Sequence, residues 1–171
     1  GMPADVSPDE YFGCEFAGLA GDYTLQLPER VIEETDRYRI YVDANGATRR
    51  DMVTGDGWTP DWLEFSISTR DDWERLKERA LYDPSRLGDG IVSRYEAARC
   101  QGKFVAFRAH ACFHPTWNKI GMVRLLTGMI EEPELITDMF DAHTRLITQL
   151  YDGIVALGVS FDGAWLSDDL G

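Results

Sequence analysis

The chain has 171 residues, 44% of them hydrophobic, with 5 Trp, 7 Tyr and 8 Phe, and this composition supplies a core and excludes disorder as the main state. Its 30 acids and 17 bases leave a net charge of −13, spread along the sequence. That balance argues against unassisted binding to nucleic acid or to an anionic membrane, because such partners need a basic patch.

No apolar run reaches about 18 residues, so no transmembrane helix is expected. The start, Gly1 to Asp5, has no basic region followed by an apolar one and does not read as a signal peptide; Gly1 before Met2 reads as a cleavage scar. Cys14, Cys100 and Cys112 form no Cys-x-x-Cys pair. A low, odd count without a secretion signal predicts reduced thiols in a cytoplasmic protein, and no zinc ribbon.

Residues 3–29 show little periodicity and are punctuated by Pro8, Gly13, Gly18, Gly21 and Pro28, which predicts irregular structure with short helical turns. From Arg37 the pattern changes. Tyr38, Ile40 and Val42 alternate with Arg39, Tyr41 and Asp43, Asn45-Gly46 signals a type I′ turn, and 47–53 return as a second strand. Residues 37–53 are therefore a surface hairpin. A loop over 55–60 leads to an extended segment at 62–67. Thr69 is placed to cap a helix whose first turn carries Asp71 and Asp72, and whose apolar stripe is Trp73, Leu76 and Ala80; Pro84 closes it.

Residues 90–100 read as a helix with Ile91, Tyr95 and Ala98 inward, and 103–109 as a strand apolar on both faces, as a buried parallel strand is. A polar and aromatic loop at 110–118 follows. Then comes a helix over 120–130 with Met122, Val123, Leu126 and Ile130 inward. Pro133 opens a long amphipathic helix through Leu135, Met139, Leu146, Leu150, Tyr151, Ile154 and Val155, with Gly158 as its C-cap. A short strand at 161–166 ends at Ser167-Asp168-Asp169. Strands separated by helical crossovers imply a parallel sheet with helices outside it. Only two parallel strands are evident, and a closed α/β barrel takes about 250 residues, so the sequence reads as a piece of a larger domain.

In such sheets ligands bind at the C-terminal ends of the strands. Two segments qualify, 110–117 and 167–171, and both belong on one face of the sheet. His110, Cys112 and His114 are spaced by two and in an extended chain point the same way. Two imidazoles and a thiolate are a metal donor set, but neighbours two apart are spread by about 7 Å, so substrate contact or packing is the favoured reading. Adjacent acids at a strand end point to different sides, so of Asp168 and Asp169 one faces the cleft, taking a proton or holding a cationic or pyrrolic N–H, and the other caps the next loop. That both are solvated loop acids is an equal reading, and Ser167 serves equally as an N-cap. Met122, Met129 and Met139 read as core filling, Trp58, Trp62 and Trp73 as packing before ligand stacking, His143 as a packed histidine, and Arg49-Arg50 as an exposed hairpin pair.

These residues together resemble the uroporphyrinogen decarboxylase superfamily. Trp62-Leu63-Glu64-Phe65 followed by Thr69-Arg70-Asp71-Asp72-Trp73-Glu74, the passage from Gly121 to Leu126 followed by Glu132-Pro133-Glu134-Leu135, and above all Phe161-Asp162-Gly163-Ala164-Trp165-Leu166-Ser167-Asp168-Asp169-Leu170-Gly171 are similar to stretches of that family in the same order. The likeness spans nearly the whole chain but about the middle half of a family member.

The resemblance implies a partial (β/α)₈ TIM barrel with an N-terminal β-hairpin excursion, as a single partial domain over 2–171, divided into an irregular region with hairpin and helix (2–87) and parallel βα units (88–171). It implies part of a carboxy-lyase that removes acetate carboxyls from a tetrapyrrole without a cofactor, with Asp168 and Asp169 catalytic and His110, Cys112, His114, Trp117 and Ser167 binding substrate. The alternative branch is a methyltransferase that uses zinc and a corrinoid; its late His-x-Cys motif lies beyond Gly171, and the zinc role does not transfer to His110 and Cys112. A non-catalytic binding or assembly module is the alternative of another class. The expected partners are a small tetrapyrrole or corrinoid and further copies of the chain paired through open barrel edges, and the piece alone is expected to be inactive.

Overall fold

The computed structural model describes residues 11–53 and 60–169. The expectations for Pro3 and Pro8, for Gly55 and Trp58 in the loop, and for Leu170 and Gly171 lie outside the described residues. In chain order the elements are β1 (Phe16–Leu19), β2 (Arg30–Glu34), β3 (Tyr38–Val42), β4 (Thr48–Met52), β5 (Asp61–Glu64), α1 (Arg70–Leu76), 3₁₀ turns at Lys77–Ala80 and Pro84–Leu87, α2 (Ile91–Cys100), β6 (Phe104–His110), α3 (Phe113–Ile120), α4 (Met122–Glu131), α5 (Pro133–Ala156) and β7 (Gly163–Ser167). The fold is mixed α/β, with a parallel sheet in the order β1-β6-β7 and an antiparallel sheet in the order β2-β3-β4-β5.

The parallel sheet contains one strand more than the two expected. β1 lies in the stretch predicted irregular and pairs with β6 from Phe16↔Phe104 to Leu19↔Phe107. It is four residues long and interrupted by Gly18, too short for its alternation to stand out in sequence; pairing with β6 makes it a strand. Val105, Phe107 and Ala109 of β6 point to one face, where they meet Leu19, Ile91, Leu146, Leu150 and Ile154 in one buried cluster. The other face carries Phe104, Ala106, Arg108 and His110. α2 and the second half of α5 thus cover one face of the sheet.

A second cluster joins Leu25, Ile67, Trp73, Phe113, Leu125, Leu135 and Met139. The 24-residue α5 is about 36 Å long and links the two clusters, its first turns packing in one and its last turns in the other.

The hairpin expected at 37–53 is present as β3 and β4, with Tyr38↔Met52 and Val42↔Thr48 in register. Its turn differs from the type I′ expectation. Type I′ needs positive φ at both central residues, and Gly46 alone of the pair has it, at +76°. Gly46 N–H donates to Asp43 O at 2.8 Å and Asp43 N–H to Ala47 O at 2.9 Å, a type I turn with a glycine bulge. The Asp43 carboxylate accepts from Asn45 and Ala47 N–H. A Cβ on Gly46 would stand 2.7 Å from Leu27 Cδ1, so glycine also lets the turn lie against the 25–27 segment. β2 and β5 flank the pair and enlarge it to a four-stranded sheet.

α1 begins as expected. Thr69 accepts from Asp72 N–H, and the Asp72 side chain accepts in return from Thr69 N–H, a capping box. Hydrogen bonds from Thr69 and from the backbone of Ser68 hold the Asp72 carboxyl down to about 2. Trp73 is buried, and its indole N–H donates to Asp138 at 2.6 Å.

Two expectations fail in the segment that follows β6. The predicted loop at 110–118 is mostly helix, α3. Pro115 falls in its first turns, where a missing N–H costs nothing. In α4 the predicted inward residues face outward: Val123 is 77% and Ile130 84% exposed, with Leu126 and Met122 also exposed, while Leu125 and Gly128 are buried. Gly121, at φ +84°, separates the two helices, and a Cβ there would stand 2.8 Å from the Phe65 ring. Tyr151 and Val155 of α5 are likewise exposed rather than inward. Among the described residues no helix is long and apolar enough to cross a membrane.

Candidate functional site at the ends of strands β6 and β7

His110 closes β6 and Ser167 closes β7, and the two are register partners in the parallel ladder. Partners in register share a face, and the Ser167 Oγ and His110 Nδ1 atoms are 3.0 Å apart. Ala111 N–H extends the ladder one step by donating to Ser167 O at 2.8 Å.

The chain then turns from β6 into α3, whose first N–H groups have no partner inside the helix. Asp168 supplies one. Its carboxylate accepts from Phe113 N–H at 3.1 Å and from His114 N–H at 2.6 Å, so the negative charge sits where the helix dipole favours it. Asp169 goes the other way, accepting from the Trp117 indole at 2.8 Å and lying 2.6 Å from His114 Nδ1. Of the adjacent acids Asp168 caps α3 and Asp169 meets polar side chains of the same helix. Ser167 bonds to His110 and serves no helix as a cap.

The His110 and His114 rings stack at 4.1 Å with 15° between their planes. One turn of α3 after His114, Trp117 touches both the His114 ring and Trp62 of β5 edge-on, each at 5.2 Å. The Arg49 guanidinium of β4 lies 4.7 Å from the Trp62 ring. The antiparallel sheet thus forms a side wall of the cluster. From α5, His143 Nε2 lies 3.0 Å from His110 O, and the Tyr23 ring packs edge-on to both imidazoles.

Burial, followed by the charge of His114, lowers the His110 pKa below the usual imidazole value, so this ring is neutral at pH 7. Burial pushes His143 down to about 4. The bonds from Trp117 and His114 hold the Asp169 carboxyl below the usual range. A carboxylate on one imidazole nitrogen fixes a proton there and leaves the second nitrogen to exchange one, the arrangement of a general acid–base pair.

Beside the cluster a groove of about 460 Å³ is lined by His110, Tyr23, Asp22, Asn45, Arg94 and Arg108 among others. The Asn118 Oδ1 atom is buried without a hydrogen-bond partner, and Asn118 also lines this groove. The structure therefore brings together His110, His114, Trp117, Ser167, Asp168 and Asp169. Cys112 stands half-buried at the start of α3. Burial and the nearby Asp168 charge push its thiol pKa up, the opposite of what a thiolate ligand requires. Among the described residues no group of three His, Cys, Asp or Glu side chains is placed to hold a metal ion.

Sequence reasoning missed Arg94, Arg108 and Tyr23 as neighbours of the site, and read Trp62 as packing before ligand stacking. Arg108 had a signal, an arginine inside the otherwise apolar run Phe104–Ala109; the others come near only through pairing of distant segments. No family model matches the chain, and neither a curated protein nor a solved structure is significantly similar to it.

Proposed function

We propose that the chain is part of a (β/α)₈ barrel of the uroporphyrinogen decarboxylase superfamily, and that its strand-end cluster serves the decarboxylation of a carboxylated tetrapyrrole without a cofactor. The observation that carries this reading is the convergence of His110, His114, Ser167 and Asp169 at the C-terminal ends of two adjacent parallel strands, the position at which α/β barrels do their chemistry. The order of motifs ending at 161–169 supports it, as do helices covering one face of the parallel sheet.

The chemistry suits the groups present. A proton added to a pyrrole ring carbon makes the ring an electron sink. The bond between the acetate methylene and its carboxyl carbon then breaks, CO₂ leaves, and the methylene takes a proton to become methyl while the ring returns its own. His114, held by Asp169, delivers and recovers protons. His110, neutral at pH 7, hydrogen-bonds a pyrrole N–H or a carboxyl arm together with Ser167. Arg94 and Arg108 in the adjoining groove meet carboxylates.

Uroporphyrin I titrated into the protein and followed by visible absorbance tests the reading. Saturable binding is expected, weakened about tenfold by His110→Ala and by Asp169→Asn, the loss of one hydrogen bond to a charged group. Absence of a saturable spectral change overturns it.

A further inference from the structure

A second groove, of about 450 Å³, runs along β1 on the far side of Arg108 from the strand-end cluster, and its lining includes Phe16, Arg94, Lys103, Arg108 and Trp165 and, among the described residues, no acid. Arg39, Arg49, Arg50, Arg75, Lys77, Arg99 and Arg124 each pair with a carboxylate. Among the described residues Arg94, Lys103 and Arg108 belong to the ten bases that form no ion pair, and these three share one groove.

The groove also has an aromatic side. Phe16 stacks on Phe104 with ring centres 6.3 Å apart, and meets Trp165 edge-on at 5.0 Å across the small Ala106. Trp165 remains 54% exposed. Two glycines shape this surface. A Cβ on Gly18 would stand 3.1 Å from Arg108 Cδ, and one on Gly163 would stand 3.0 Å from the Phe104 ring. Their absence lets the arginine and the ring from β6 lie across the neighbouring strands.

We infer that this groove binds a planar small molecule carrying several negative charges. Three cations unopposed by carboxylates call for at least two anionic groups, and guanidinium groups match the oxygens of phosphate and carboxylate alike. Exposed aromatic rings beside them favour a flat ring system. The volume lies within the range of small-molecule sites, about 300–1,000 Å³. A nucleotide and a carboxylated macrocycle share this chemistry. The inference goes beyond the strand-end reaction proposed above, and its groove shares Arg94 and Arg108 with the groove beside that site.

The test uses pyrene-1,3,6,8-tetrasulfonate as a fluorescent, planar tetra-anion titrated into the intact chain. Saturable binding is expected, with quenching of tryptophan fluorescence that Trp165→Leu removes. The double variant Arg94→Gln with Lys103→Gln should bind about tenfold more weakly, as expected for two exposed charge pairs. Both positions lie outside the two hydrophobic clusters, and an unchanged circular dichroism spectrum confirms that the variant folds. His110→Ala should bind the probe as tightly as the parent, which separates this groove from the strand-end site. Displacement by ATP assigns a nucleotide, and displacement by uroporphyrin I assigns a carboxylated macrocycle. Failure of both to displace the probe, equal binding of uncharged pyrenemethanol, or full affinity in the double variant overturns the inference.

Discussion

The Asp168 carboxylate at the end of β7 accepts a 2.6 Å hydrogen bond from the backbone N–H of His114, 54 residues earlier in the chain. One side chain thereby caps α3, ties the last strand of the parallel sheet to the helix after the middle strand, and aims its neighbour Asp169 at His114 and Trp117. The cap and the site are consequently one construction, and they can be separated by mutation.

Asp168→Ala leaves the first N–H groups of α3 without their acceptor. It should lower unfolding free energy by about 1–2 kcal/mol, the usual cost of losing an N-cap, while Asp168→Asn keeps an acceptor oxygen and loses less. Asp169→Ala, which touches side chains and no helix backbone, should change stability by less than about 0.5 kcal/mol. Urea denaturation of the three variants checks the order.

His143 is buried with its pKa pushed down to about 4 by desolvation. Between pH 4 and the unfolded value of about 6.5 the unfolded chain binds the extra proton and the folded chain does not, so stability rises with pH across that window and is fully present above it. The full difference is about 3 kcal/mol. Denaturation midpoints measured from pH 4 to pH 7 should climb, and His143→Gln should flatten the climb.

Lys119 is buried, donates to the Pro115 carbonyl at 2.7 Å, and is pushed down to about 8 chiefly by desolvation. Its charge in the folded state costs free energy that an apolar chain would not. Lys119→Met should therefore be neutral or stabilising by about 1–3 kcal/mol at pH 7, visible as a raised Tm. In the parent protein stability should rise further between about pH 8 and pH 10.5, where the unfolded lysine holds its proton and the folded one loses it.

Val123 and Ile130 are exposed on α4, whereas Leu125 is fully buried. Replacing Val123 and Ile130 together by lysine should alter unfolding free energy by less than about 0.5 kcal/mol per site. Leu125→Ala should cost about 2–5 kcal/mol through the cavity it leaves. Equal losses would mean that α4 packs by the other face.

Features whose cause lies within a few residues were legible in the sequence: the β3–β4 pair from its alternation and Gly46, the α1 start from Thr69 and Asp72, the long α5 from its apolar spacing, and the polar ends of β6 and β7 from the rule that ligands gather there. The illegible features depend on partners distant in the chain. β1 is a strand because β6 pairs with it, α3 is capped by an acid just after β7, and α4 buries Leu125 in the cluster it shares with Trp73, Phe113, Leu135 and Met139. Hydrophobic spacing states that a helix has an apolar face and is silent on which neighbours arrive to cover it. The long-range packing decided that, and with it the meeting of His110, His114, Ser167 and Asp169.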